Sequence, residues 1–148
     1  MKIALGSDHG GLSLKDEIKG YLNSKNIEVY DYGTFTEDAV DYPDIAKPVC
    51  ESVLAKQFDF GILVCGTGIG ISIAANKIKG IRAACCSDGY TAKLTRSHND
   101  ANILCLGGRV IGPGLAFMIV DAFLGEQFEG GRHSLRIEKI NRLEENGR

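Results

Sequence analysis

The chain is expected to fold as a three-layer α/β/α sandwich around a five-stranded parallel, Rossmann-like sheet, with a further helix at its C-terminal end. Three observations predict this. Short apolar runs alternate with stretches of helical periodicity along the whole length. The runs, such as Ile62-Leu63-Val64, are apolar at successive positions, as strands covered on both faces are. The third run passes through a turn with glycines at 66, 68 and 70 straight into a helix start.

The first strand is Lys2 to Gly6, followed by the polar glycine turn Ser7 to Gly11. Leu12, Leu14, Ile18 and Leu22 recur at near-helical spacing and predict a helix over 12–24. Ile27 to Tyr32 reads as a strand, and Gly33 to Pro43 as a long polar loop of the kind that carries function. Ile45, Val49, Val53 and Leu54 predict a helix over 44–56. Phe58 to Cys65 is the third strand, and 69–79 a helix stopped by Gly80. Ile81 to Cys86 is the fourth strand, and Ser87-Asp88 can cap a helix running to about Ser97. Asn102 to Leu106 is the fifth strand, Gly114 to Phe123 a helix, Gly125 to Gly131 a linker, and Ser134 to Glu145 the terminal helix.

A length of 148 residues fits one domain, 1–148, with a real core. A net charge of −2 gives no general attraction to nucleic acid or to an anionic membrane. No apolar run approaches the roughly 20 residues of a membrane span. The first residues read as a strand rather than a signal peptide, so a cytoplasmic location is expected. The five cysteines form no C-x-x-C pair, and neither a disulfide framework nor a metal site is expected.

In a parallel sheet, ligands bind beyond the carboxyl ends of the strands. The turns carrying Asp8 and His9, Cys65 to Gly70, and Arg109 should share that edge. A strand, a glycine turn and a helix N-terminus make an anion cradle of free backbone N–H groups. Cys65 stands at its mouth, where a thiol is activated toward thiolate and can serve as a base, although a lone cysteine is more often packing. Thr67 can donate to a substrate oxygen or simply cap the helix. His9 and His98 lie in polar stretches, where a solvated position is the plain alternative. Arg132 and Arg136 share a helix face, able to converge on one anion or to form a solvated basic surface. A dinucleotide fingerprint needs Gly or Ala where Ile71 stands, and the Gly-Lys-Ser/Thr ending of a P-loop is missing. Asp88, about 20 residues on, is the one feature that keeps nucleotide binding as an alternative.

Several segments together match a family: Gly6 to His9, Asp41-Tyr42-Pro43, Cys65 to Lys77, Gly80 to Ala83, His98-Asn99-Asp100, Gly108-Arg109-Val110 and Gly130 to His133. The chain resembles the type B ribose-5-phosphate isomerases, grouped with galactose-6-phosphate and allose-6-phosphate isomerases. The resemblance implies aldose–ketose isomerisation of a sugar phosphate by proton transfer, with no metal and no cofactor. It implies that Cys65 is the base between C1 and C2, with Gly66, Thr67, Gly68, Ile69 and Gly70 forming a backbone hole for the enediolate oxygen. It implies that His98 opens the furanose ring, assisted by Thr67 and Asp8, and that Tyr42 and Asn99 contact sugar hydroxyls. His9, Arg109, Arg132 and Arg136 are implied as the phosphate clamp. A second branch of the family places a glutamate base where Ile71 stands here, so this chain fits the cysteine branch.

Allose 6-phosphate or galactose 6-phosphate is the nearest alternative substrate, and a non-catalytic nucleotide or sugar-phosphate binding module the alternative of another class. Cys65 follows the third strand, whereas His98 and Asn99 precede the fifth, so they belong to opposite edges of the sheet. Five-residue strands separate those edges by roughly 15 Å or more. The expected partner is therefore a second copy, in a homodimer or a dimer of such dimers, with shared active sites. Arg132 and Arg136 could come from either subunit.

Overall fold

The computed structural model describes residues 1–146; the last two positions of the expected 1–148 domain lie outside the described residues. In chain order it contains β1 (Lys2–Ser7), a 3₁₀ turn (His9–Gly11), α1 (Leu12–Ser24), β2 (Glu28–Asp31), α2 (Tyr42–Leu54) and β3 (Phe60–Cys65). These are followed by α3 (Ile69–Ala75), β4 (Ala83–Cys85), α4 (Gly89–Asn99), β5 (Ile103–Gly107), α5 (Pro113–Leu124) and α6 (Arg132–Asn146). The strands form one parallel sheet in the order β2-β1-β3-β5-β4. This is the expected fold class.

Strand residues alternate between two apolar layers. Ile3, Leu5, Ile62, Val64, Leu104 and Leu106 face a core shared with Leu14, Ile18 and Leu22 of α1 and Ile119, Val120 and Phe123 of α5. Ala4, Leu63, Cys65, Ile103 and Cys105 face the other core, with Val49, Cys50 and Val53 of α2 and Ile71 and Ala75 of α3. Every β3 residue from Gly61 to Cys65 is buried, which explains why its apolar run is continuous. No helix of the described residues is long and apolar enough to cross a membrane.

Most element ends fall one or two residues from expectation, and three of the differences have a clear local reason. Helix α2 starts at Tyr42 rather than Asp44, because Pro43 fits a helix's first turn, where no amide partner is needed. Helix α3 stops at Ala75 rather than residue 79. The Asn76 side chain leaves the helix direction to pair with the backbone of Ala83, donating to its carbonyl at 2.8 Å and accepting from its amide at 2.9 Å. Helix α4 extends through His98 and Asn99, and Asp100 ends it in the left-handed region at φ 48°.

The topology fixes where a site can form. From β1 the chain moves outward to β2, then returns to place β3 on the other side of β1. The crevice beyond the carboxyl ends of β1 and β3 is thus the switch point of the sheet. Ser7 pairs with Val64 and Cys65 with Gly107, so the turns after β1, β3 and β5 lie side by side there. Phe60, at the other end of β3, is about 16 Å away along the strand.

Candidate active site

At the switch point three turns are tied together by backbone. The Asp8 amide donates to the Val64 carbonyl, the Gly108 amide to the Cys65 carbonyl at 2.8 Å, and the Arg109 amide to the Gly66 carbonyl at 2.9 Å. The fit is close enough that a Cβ at Gly108 would stand 2.8 Å from the Gly10 carbonyl oxygen. Cys65 is buried, and its Sγ accepts the Gly68 N–H at 3.1 Å. Gly68 reaches this geometry at φ 78°, a conformation that glycine adopts without strain.

The remaining amides of this loop divide into used and unused. Ile69 donates to the Thr67 hydroxyl at 3.3 Å within the turn, whereas Gly68 and not Thr67 is the N-cap of α3, and the Ile69 side chain is exposed. The amides of Gly66, Thr67 and Gly70 have no hydrogen-bond acceptor among the described residues. They are the donors left over for an anionic oxygen. The Arg109 side chain lies along Gly66, with Nη1 3.5 Å from where a Cβ would be. On the opposite side the Tyr42 ring covers Gly70, its hydroxyl oxygen 3.1 Å from the equivalent point.

Asp8 and His9 complete this group. Asp8 is buried, and its Oδ1 accepts the Gly11 amide at 3.0 Å. The Val40 amide, from the loop after β2, donates to His9 Nδ1 at 3.3 Å. With Nδ1 accepting, Nε2–H is left to donate toward a ligand. That loop is held by Lys15, whose fully buried ammonium donates to Asp31 at 3.0 Å and to the Thr34 carbonyl at 2.6 Å. Burial alone would raise the Asp31 carboxyl, but the Gly33 amide and the Lys15 and Lys19 ammonium groups outweigh it and hold it below its usual range.

His98 and Asn99 lie elsewhere. They form the last turn of α4, next to Arg96, whose guanidinium sits 4.8 Å over the Phe60 ring at the amino end of β3. The His98 ring stacks on His133 of α6, with centroids 4.1 Å apart and planes 10° from parallel. Arg132 and Arg136 flank His133 and border a shallow basic groove with Leu135 and Lys139. The terminal arginines therefore travel with His98, a point the sequence left open. The structure thus brings Asp8, His9, Tyr42, Cys65 to Gly70 and Arg109 together at one edge, and His98, Asn99, Arg132 and Arg136 at the other.

His133 closes the family-matching segment Gly130 to His133, but the sequence assigns it no role. It is nine-tenths buried, and its Nε2 has no hydrogen-bond partner among the described residues. Desolvation, reinforced by the charges of His98 and Arg132, pushes its imidazole below the usual histidine range. Glu129 lies 3.8 Å from His98 and 3.6 Å from His133. Although ligand-type atoms of the three residues fall within 4.8 Å of one another, the parallel rings aim their lone pairs side by side and not at one ion.

The family model for ribose/galactose isomerase matches residues 3–140. The chain belongs to this family. Members of the ribose/galactose isomerase family resemble it over nearly full length. It is 54% identical to ribose-5-phosphate isomerase B of Escherichia coli over 144 residues, 97% of each chain. The structure of Clostridium thermocellum ribose-5-phosphate isomerase B superposes with a TM-score of 0.98 at 53% identity, covering all of both chains. That of the Mycoplasma genitalium enzyme with bound ribulose-5-phosphate superposes with a TM-score of 0.92 at 46% identity, covering 98% of this chain and 97% of that one. By sequence and by fold the chain is a sugar-phosphate isomerase of this family.

Proposed function

We propose that this single domain interconverts ribose 5-phosphate and ribulose 5-phosphate in the cytoplasm, with Cys65 as the base. The observation that carries the reading is the Cys65 sulfur, held inside the glycine turn by Gly68 beside the unused amides of Gly66, Thr67 and Gly70. The Cys65 thiolate takes the proton from C2 of the open aldose. The electron pair left behind becomes the C1–C2 double bond, and charge collects on O1, where the amides can bind it. The thiol then returns a proton to C1, while O2 gives up its proton and O1 gains one. Nothing is oxidised or reduced overall, so the step balances without a metal or redox cofactor.

Ring opening belongs to His98 in this reading, with Asn99 and Tyr42 on sugar hydroxyls and Thr67 and Asp8 assisting. Because His98 lies at the amino end of β3, where Arg96 packs on Phe60, and Cys65 at its carboxyl end, His98 acts on the sugar held by a second copy. The working form is a homodimer or a dimer of dimers, and the copy that lends His98 also lends Arg132 and Arg136. These two arginines meet His9 and Arg109 around the phosphate.

The substrate is tested by comparing kcat/KM for ribose 5-phosphate, allose 6-phosphate and galactose 6-phosphate. Ribose 5-phosphate should lead by about tenfold or more, the usual discrimination for a change of chain length. A higher value for either six-carbon sugar would reassign the substrate. The clamp makes a separate prediction. Arg136→Ala should raise KM for ribose 5-phosphate by roughly 10- to 100-fold, the value of a charge-assisted hydrogen bond, and barely change the weak binding of ribose. Equal losses on both sugars would mean that Arg136 acts through folding.

A further inference from the structure

Arg82 and Asp100 have no part in the chemistry above, yet the structure builds a dense network from them at the end of α4. Asp100 directly follows His98 and Asn99. Its Oδ1 accepts from Arg96 Nη1 at 2.8 Å and its Oδ2 from Arg82 Nη2 at 2.8 Å, so its carboxylate is gripped from both sides. Arg82 also caps the helix: its Nε donates to the carbonyls of Asn99 at 3.1 Å and Asp100 at 3.0 Å. The Arg82 backbone is fixed in turn by Asn102, whose side-chain oxygen accepts its amide at 2.9 Å. Arg96, itself buried, reaches the Ala101 carbonyl at 2.9 Å.

A helix end normally frays, because its last carbonyls have no partners within the helix. Here those carbonyls are occupied by a guanidinium fork anchored just before β4. We propose that Arg82 and Asp100 are positioning residues that hold the last turn of α4 rigid, presenting His98 and Asn99 to the sugar at a fixed angle. This rests on the reading of His98 as the ring opener. A fork is required because one side chain must meet two carbonyls and a carboxylate at once. A displacement of about 1 Å in such a group costs on the order of 100-fold in rate.

The test separates ring opening from proton transfer. Ribulose 5-phosphate cannot close a furanose ring, because its C5 oxygen carries the phosphate. Exchange of its C1 hydrogen with D2O needs the base and the amides but no ring opening. Asp100→Asn keeps a residue that tolerates the left-handed backbone while removing the charge. Arg82→Ala is the second variant, and His98→Ala the reference. Both network variants should lose about 100-fold in kcat/KM for ribose 5-phosphate and keep C1 exchange, at saturating ribulose 5-phosphate, within about twofold of the parent. Loss of isomerisation and exchange together would mean that the network serves folding or assembly, and would overturn the proposal. Unchanged isomerisation in both variants would overturn it equally. If His98→Ala itself lost exchange, the role given to His98 would fail instead.

Discussion

Cys65→Ala should abolish isomerisation while leaving substrate affinity within a few-fold of the parent. In the proposed mechanism the sulfur contributes a proton transfer made only in the transition state, so its loss should appear in kcat, by about 1,000-fold or more. Neither Ile71 nor Cys85 matches it as a base. Ile71, at the position where the glutamate branch of the family carries its base, is fully buried in the core. Cys85 is exposed beside Gly68, and desolvation, with the nearby Cys65, raises its thiol above the usual cysteine range. The fold should tolerate the change, because the backbone bonds from Gly108 and Arg109 still hold the loop. Calorimetric binding of ribulose 5-phosphate, set beside turnover, checks both halves. Near-normal turnover would remove Cys65 from the mechanism.

The sheet and its helices were legible because the central strands β1, β3 and β5 are buried on both faces and the covering helices keep an apolar stripe. What periodicity does not encode is where an element yields to a side chain. Asn76 ends α3 early by pairing with Ala83, seven residues further on, and no local pattern marks that exchange. Asp100 ends α4 two residues later than expected, in a left-handed conformation whose carboxylate two arginines hold. At the site, the cysteine, the glycine turn and Arg109 were readable because motif and topology agree on one edge. That the terminal arginines accompany His98 was not, since it depends on the stacking of His98 on His133 across 35 residues of chain. The Arg82–Asp100 pair is equally silent in the sequence, because only the meeting of α4 with the approach to β4 closes it.

The central claim is that one active site needs two copies of the chain. Cys65 is held by the β1, β3 and β5 turns at the carboxyl edge, and His98 by α4 and α6 beyond the amino edge. The measurement that bears on this most directly is complementation between Cys65→Ala and His98→Ala proteins, each inactive alone, mixed by unfolding and refolding. A mixed dimer carries one site with both residues intact and one with neither. Random pairing makes half of the dimers mixed, so activity should return to about a quarter of the parent value. Mixed dimers that demonstrably form, by mass or by affinity tag, and yet stay inactive would contradict the shared site.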